Sequence, residues 1–296
     1  MISIIIATFN RAHTLQRSLE SVFAQEELLE VIVVDDGSTD ETQSVLKKYT
    51  DPRLRCILLD SNKGASFARN HGIAKARGEY VMVWDSDDEL FPSACATLLG
   101  VFQKHPEAIV ASAPGQMFRN SEAIPFSERK SGFVSFDEIL CKYLPSNEKV
   151  RLTRTSIAQK TPYVSKNLDF LVSVSLAKQG PWFHVREPLA TVHVDGPDSL
   201  TRARKKFNAR LSVERGKYIE RFLHLFGDRM RRLCPDRYAA FCYGACVGCF
   251  VGKKQKEARK FAFRAVVSQP LNLRYVGVLV LCCVPFSAHV VAGRLL

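Results

Sequence analysis

Short apolar runs alternate with segments of helical periodicity along roughly the first third of the chain. Buried strands separated by helices give this alternation, which predicts βαβ units and an α/β fold with a mainly parallel, doubly wound, Rossmann-like sheet. The predicted strands are residues 2–7, 31–34, 55–59 and 80–84, and the predicted helices are residues 14–25, 41–49, 65–77 and 92–104.

The pattern changes twice further along the chain. Beyond about residue 115 the alternation is less regular, with a short strand predicted at 132–135 and a short helix at 137–143. From residue 198 the helical periodicity returns, and residues 253–265 form an amphipathic pattern. A chain of 296 residues with 46% hydrophobic content can bury one sizeable core and carry an appendage. We therefore expect two domains, residues 1–200 and a helical region at 201–296.

Three of the predicted strands end in polar, ligand-like residues. In open α/β sheets, ligands bind outside the carboxyl ends of the strands, so the three tips are expected to line one crevice. Clustered carboxylates there suit a divalent cation that holds a diphosphate, although such clusters also form turns and helix caps. The tips are Thr8-Phe9-Asn10-Arg11, Asp35-Asp36-Gly37-Ser38 and Asp85-Ser86-Asp87-Asp88.

These tips, together with Asn62-Lys63-Gly64 and Ala68-Arg69-Asn70, resemble the motifs of the family 2 glycosyltransferases, which have a GT-A fold. The motifs occur in the family's order within the first 90 residues, and the resemblance extends to about residue 200. It implies inverting transfer of a sugar from a nucleotide-sugar donor, with a UDP-sugar expected, in the presence of Mn²⁺ or Mg²⁺.

The resemblance also implies roles for individual residues. Nucleotide contacts are expected from Thr8, Asn10, Arg11, Asp36 and Arg69. Asp36 could instead stabilise a turn before Gly37, and Arg69 could be a solvated helix residue.

For the metal, the resemblance favours direct coordination by Asp87 and a contact of Asp85 with the ribose or a metal-bound water. Asp88 could assist or could cap the following helix. His193 resembles a histidine that some members place near the metal, and the alternative is a packed strand residue.

A general base is needed because an acceptor hydroxyl is a weak nucleophile at neutral pH. The family supplies it from a Glu-Asp pair, and the similar position here is Leu168-Asp169. Asp169 is the expected catalytic base, although it could also be a helix N-cap. Leu168 in place of the glutamate is a departure from the pattern.

Basic residues are concentrated in the last third of the chain. Residues 201–296 contain 20 Lys and Arg against 5 Asp and Glu, whereas the rest has a slight acidic excess. This asymmetry predicts an anionic membrane surface as partner, because no nucleic-acid recognition motif accompanies the charge. Residues 275–293 lack charged side chains but contain Pro285, so we favour an interfacial or packed helix pair over a membrane span.

Nine cysteines are scattered along the chain. Cys242, Cys246 and Cys249 have a spacing that some iron–sulfur enzymes use, but an apolar helix would place all three on one packed face. We therefore expect core packing, unpaired thiols in a reducing compartment, no signal peptide, and a cytoplasmic enzyme peripherally associated with the membrane.

The function predicted from the sequence is metal-dependent transfer of a sugar to a carbohydrate or lipid-linked acceptor in surface glycan or polysaccharide biosynthesis. One alternative is a sugar-phosphate nucleotidyltransferase, which the absence of glycine from Ala7-Thr8-Phe9-Asn10-Arg11 disfavours. The other is a catalytically degenerate, membrane-bound scaffold.

Overall fold

The structure is a computed structural model that describes residues 1–119, 122–124, 130–142, 149–164, 169–193 and 209–283. The chain divides into two compact units, Met1–Arg202 and Ala203–Leu296. Each unit has its own helices and core.

The first part of the larger unit follows the predicted alternation of strands and helices. Each predicted element is confirmed, with small shifts of its ends. The elements are β1 (Ile2–Thr8), α1 (Ala12–Phe23), β2 (Leu28–Asp35), α2 (Thr42–Leu46), β3 (Leu54–Leu58), α3 (Ala65–Lys75) and β4 (Tyr80–Asp85).

The second part of this unit is built from shorter elements. The short strand predicted near residue 132 and the short helix predicted near residue 137 are both confirmed. The elements are β5 (Glu89–Leu90), α4 (Ala94–Lys104), β6 (Val110–Ala113), β7 (Gln116–Arg119), β8 (Glu122–Ile124), β9 (Gly132–Val134), α5 (Phe136–Lys142), β10 (Val150–Arg154), α6 (Thr155–Ala158), α7 (Asp169–Ala177), β11 (Trp182–His184) and β12 (Ala190–His193).

The large sheet has eight strands in the order β3-β2-β1-β4-β10-β6-β11-β9. The first four pair in parallel, as the sequence predicts. Beyond them β10 is antiparallel to both β4 and β6, and β11 is parallel to β6. The sheet is therefore parallel where the three polar strand tips lie and mixed elsewhere.

Strand β1 is buried on both faces, as a central parallel strand should be. Ile4 and Ile6 belong to one apolar cluster with Leu15 and Leu19 of α1. On the other face, helix α3 comes so close that a Cβ added to Gly72 would lie 2.3 Å from Ile5 Cγ2. Helices on both sides thus fix the position of β1 and of the polar residues at its end.

The strand register brings the polar tips together. Thr8 at the end of β1 pairs with Asp35 of β2 on one side, and Ala7 pairs with Asp85 of β4 on the other. A second sheet, in the order β5-β12-β7-β8, follows directly after the β4 tip, with β12 antiparallel to β5. This small sheet brings the end of β12 beside the β4–β5 turn.

The smaller unit is helical. Its helices are α8 (Ala209–Leu233), α9 (Pro235–Val251), α10 (Gln255–Ser268) and α11 (Leu273–Cys283), each packed against the next. Among the described residues, no helix is long and apolar enough to cross a membrane. Of the uncharged stretch 275–293, residues 284–293 lie outside the described part.

Cys242, Cys246 and Cys249 are all buried along α9, and Cys246 Sγ lies 3.6 Å from Cys282 Sγ. The prediction of core packing is confirmed. Seven of the nine cysteines are free thiols.

Candidate active site

Three carboxylates meet where β4 ends. Asp85 is the last residue of the strand, and Asp87 and Asp88 lie in the tight turn to β5. One oxygen from each lies within 4.8 Å of the others. Within the described residues, this is the one group of three or more His, Cys, Asp or Glu side chains close enough to share a metal ion.

Asp85 lies between two cations. Its carboxylate accepts a hydrogen bond from Arg69 Nη2 at 2.9 Å and another from Lys149 Nζ at 3.1 Å. Burial alone would raise the pKa of Asp85, but the charges of Lys149 and Arg69 outweigh it and hold that pKa well below its usual range. Asp85 is therefore a carboxylate at neutral pH.

Asp87 and Asp88 have shifts of the opposite sign. Burial and the charge of Asp85 raise the pKa of Asp87. Burial also raises the pKa of Asp88, to about 7, with Asp85 and Asp87 adding to the rise and Lys149, 3.6 Å away, opposing it. Acidic groups with pKa values pushed apart in one cleft are typical of functional sites.

The donor set fits a divalent metal ion. All three side chains offer hard oxygen ligands. The ionised forms of Asp87 and Asp88 are destabilised by the neighbouring carboxylates, so a bound cation would stabilise them. Arg11 Nη2, 3.9 Å from Asp87, and the ammonium of Lys149 supply positive charge around the cluster in the structure.

Arg17 and Glu89 connect this cluster to the small sheet. Arg17 Nη2 donates to the Asp87 carbonyl at 2.8 Å, and its Nε lies 3.1 Å from Glu89 Oε1. The backbone N–H of His193 donates to Asp88 at 3.0 Å, while His193 Nε2 lies 2.7 Å from Glu89 Oε1. His193 thus lies beside the cluster, with its ring on Glu89.

The side chain of Asp36 holds the loop at Lys63 and Gly64, which belong to one of the motifs quoted above. Its two oxygens accept hydrogen bonds from the backbone N–H groups of Lys63, at 2.7 Å, and Gly64, at 2.8 Å. Gly64 has φ +94°, and a Cβ at Gly37 would lie 2.8 Å from the Ser61 carbonyl carbon, so both positions favour glycine. These contacts are with a distant loop; the local turn before Ser38 is held by Asp35, whose Oδ1 accepts a hydrogen bond from Ser38 N at 3.0 Å.

The β1 tip is held against the segment that follows β2. Asn10, at φ +53°, accepts a hydrogen bond from Thr39 N at 2.8 Å, and its own N–H donates to Ser38 Oγ at 2.9 Å. Thr8 is buried, and its hydroxyl has no hydrogen-bond partner among the described residues. The strand tips and the residues directly after them place Thr8, Asn10, Arg11, Asp36, Asp85 and Asp87 along one edge of the sheet, and Arg69 reaches Asp85 from helix α3.

Asp169 is the first residue of α7, the helix predicted to follow it. Its side chain, and all of Leu168, lie outside the described residues. The base and N-cap roles of Asp169 both remain predictions.

Sequence reasoning missed three residues of the site. Lys149 precedes β10 in an irregular segment with no motif around it, and it reaches Asp85 only because β10 pairs with β4. Arg17 lies on α1, and Glu89 is a β5 residue directly after the acidic cluster. The adjacency of Glu89 to the cluster was the one available signal.

Comparison with known proteins identifies the family. The sequence model of the family described as "Glycosyl transferase family 2" matches residues 3–157, more than half of the chain. This protein belongs to glycosyl transferase family 2. The predicted family is confirmed, and membership decides against the sugar-phosphate nucleotidyltransferase.

Several curated relatives are similar over different lengths. Succinoglycan biosynthesis protein ExoO of Rhizobium meliloti is 46% identical over 31% of this chain and 26% of its own length. GalNAc(5)-diNAcBac-PP-undecaprenol beta-1,3-glucosyltransferase of Campylobacter jejuni is 27% identical over 96% of this chain and 94% of its own length. The chain spans about half or less of the first curated relatives it matches.

Solved structures share the fold. S. aureus TarS 1-349 in complex with UDP-GlcNAc aligns with a TM-score of 0.62 at 17% identity, over 95% of this chain and 79% of that one. Mannosyltransferase PcManGT from Pyrobaculum calidifontis, in complex with GDP-Man and Mn²⁺, aligns with a TM-score of 0.54 at 15% identity, over 99% and 87%. The GT-A fold is confirmed.

Proposed function

We propose that this protein transfers a sugar from a nucleotide-sugar, with a UDP-sugar as the favoured donor, to a hydroxyl acceptor with inversion at the anomeric carbon. The observation that carries the proposal is the cluster of Asp85, Asp87 and Asp88 at the carboxyl end of a parallel strand. Family membership supports the reaction class.

Mn²⁺ or Mg²⁺ would be held by Asp87, with Asp85 and Asp88 beside it. A bound cation neutralises the diphosphate and so makes the nucleoside diphosphate a better leaving group. Arg11, Arg69 and Lys149 surround the same carboxylates, and their charges favour an anionic ligand there. His193 has a positioning role in this proposal, through its contacts with Asp88 and Glu89.

The nucleoside would lie over the neighbouring strand tips. Thr8 offers a hydroxyl without a partner in the described structure, and Arg69 lies over the Tyr163 ring at 5.3 Å while it contacts Asp85. Asp36 would shape this pocket by holding the Lys63–Gly64 backbone, with Asn10 holding the other side. One relative is named as a UDP-Glc-dependent glucosyltransferase, and TarS and PcManGT are bound to UDP-GlcNAc and GDP-Man in their structures.

Asp169 is the proposed general base. Deprotonation of the acceptor hydroxyl on the face opposite the leaving group gives a single displacement with inversion. The Asp169→Asn variant should lose turnover while it keeps nucleotide affinity, because the change removes a base and not a donor contact. Loss of nucleotide affinity in this variant would assign Asp169 to donor binding.

The acceptor is proposed to be a carbohydrate or a lipid-linked sugar in surface glycan or polysaccharide assembly. Two relatives are named as glucosyltransferases acting on diphosphoundecaprenol-linked or PP-undecaprenol-linked sugars. We propose that the protein acts at the cytoplasmic face of a membrane, with the basic residues of 201–296 facing anionic lipid.

A thermal-shift panel tests donor and metal together. UDP, GDP and their sugars are added with and without Mn²⁺, because a ligand that binds the native state raises the apparent melting temperature. We expect Mn²⁺-dependent stabilisation by uridine nucleotides. The Asp87→Asn variant should lose this response, and Glu107→Gln, a change of an exposed carboxylate elsewhere in the same unit, should keep it.

No stabilisation by any nucleotide would favour the degenerate scaffold over the transferase. Stabilisation that is equal with and without Mn²⁺ would remove metal dependence from the proposal.

A further inference from the structure

The helical unit contains a cleft between α8 and α10. Its volume is about 290 Å³, and Tyr238 of α9 lines it together with residues of the other two helices. Gly227 of α8 leaves room for that tyrosine, since a Cβ there would lie 3.3 Å from the Tyr238 ring. The cleft is far in sequence from the strand tips and plays no part in the chemistry described above.

The cleft is lined by cationic side chains from both helices. The cations are Arg231 from α8 and Arg264 from α10, and the imidazole of His224 on α8 also lines the cleft. Asp228 also lines it, at 4.0 Å from Arg231, so one of the two arginines has a carboxylate nearby. The set of side chains has a net positive charge, and two guanidinium groups provide the geometry that binds phosphate oxygens.

Exposed apolar side chains border the same cleft. Phe263 and Val267, one turn apart on α10, line it and are 60% and 62% exposed. The chain beyond α10 continues with Leu271, 93% exposed, and Leu273, 84% exposed. Large apolar side chains exposed beside arginines, as Phe263 and Val267 are, indicate a surface that meets an apolar and anionic partner.

We propose that this cleft binds the phosphate group of an anionic membrane lipid, while Phe263 and Val267 enter the acyl region of the same leaflet. This inference rests on the membrane part of the proposed function and names the surface that would carry it. The arginines supply charge at headgroup depth, and the neighbouring apolar side chains supply the buried area.

The chemistry favours lipid over a soluble phosphate or a protein. A soluble phosphate would gain nothing from Phe263 and Val267, which the lipid interior would bury. The basic excess of residues 201–296, 20 Lys and Arg against 5 Asp and Glu, complements a continuous anionic surface.

Vesicle co-flotation of the full chain tests the proposal. Binding is measured to phosphatidylglycerol/phosphatidylcholine vesicles and to pure phosphatidylcholine vesicles. The Arg231→Gln/Arg264→Gln variant changes the cleft. The control Arg215→Gln/Lys217→Gln removes the same charge from exposed positions near the other end of α8.

We expect wild-type protein to bind the anionic vesicles and not the neutral ones. The cleft variant should bind about tenfold more weakly, and the control should lose much less. Phe263→Ser should also weaken binding, with its circular dichroism melt unchanged since this residue is exposed.

Equal losses in the cleft and control variants would overturn the cleft as a specific site. Absence of wild-type binding would overturn the membrane surface, while Mn²⁺-dependent nucleotide binding by the same sample would leave the transferase proposal standing. Full displacement of the protein from vesicles by millimolar inorganic phosphate would assign the cleft to a soluble phosphate instead.

Discussion

Two carboxylates of the large sheet are each held between two cations, at opposite ends of the parallel strands. Glu30 lies near the amino ends, between Arg55 and Arg77, and Asp85 lies at the carboxyl ends, between Arg69 and Lys149. The two sites have the same arrangement of charges, but they differ in burial and in the number of carboxylates nearby.

Glu30 is fully buried and satisfied. It lies 2.6 Å from Arg55 and 3.0 Å from Arg77, and accepts further hydrogen bonds from Ser3 Oγ and the Arg77 backbone N–H. Burial opposes ionisation, but these hydrogen bonds outweigh it and lower the pKa of Glu30.

Asp85 is one-third exposed and shares its surroundings with Asp87 and Asp88, whose pKa values are raised. Gathering like charges in one turn costs stability, and the raised pKa values of Asp87 and Asp88 reflect that cost. We therefore assign a structural role to Glu30, and propose a functional one for Asp85, which is crowded by two further carboxylates.

The largest expected effect is on activity at the crowded cluster. Asp87→Asn should lower transfer by about a thousandfold, because it removes a charge proposed to hold the cation. The measurement is kcat/KM with a thermal melt on the same sample. An unchanged kcat/KM would remove Asp87 from the site, and Glu107→Gln is the matched control.

The next effect is on stability at the isolated cluster. Glu30→Gln should lower the free energy of unfolding by about 3 kcal/mol, because two arginines lose their buried counter-charge while remaining partly solvated. Urea unfolding measures it. Glu79→Gln, which changes an exposed carboxylate 3.7 Å from Arg154, should change the free energy by less than about 1 kcal/mol. Equal effects would contradict a structural role specific to Glu30.

Acid should remove the Glu30 contribution. Its folded pKa is lowered from the ordinary value of 4.5, so the stabilisation is present above that pH and is lost as pH falls through the folded value. The difference in unfolding free energy between wild type and Glu30→Gln should therefore be larger at pH 7 than at pH 4. A constant difference would show that the pKa of Glu30 is the same in both states.

The smallest expected effect concerns Lys149, whose ammonium group lies beside the carboxylates of the crowded cluster. Lys149→Gln should tighten Mn²⁺ binding by about tenfold without nucleotide, because the ammonium 3.1 Å from Asp85 repels an incoming ion. Calorimetric titration with MnCl₂ measures it, and Lys104→Gln, at the exposed end of α4, is the control. Unchanged affinity would mean that the Lys149 ammonium does not oppose Mn²⁺ binding.

The strand tips could be predicted from the sequence because each follows a buried strand directly. Thr8, Asp36 and Asp85 come after apolar runs long enough to identify, and parallel pairing then brings their ends together. Family resemblance supplied the roles, which spacing alone leaves open.

Lys149 and the small sheet could not be predicted in the same way. Strands β5, β8 and β12 have two to four residues, too few for a periodic pattern, and pairing across long sequence separations decides their positions. His193 was expected at the metal, and its ring lies on Glu89, a contact set by that sheet.

The most direct test of the central claim is a Mn²⁺ titration followed by electron paramagnetic resonance, with UDP present, on wild type and Asp87→Asn. The crowded cluster is proposed to hold the cation that carries the diphosphate, so wild type should bind a single Mn²⁺ per chain and the variant should bind none at the same concentrations. Equal Mn²⁺ binding by both proteins would contradict the account.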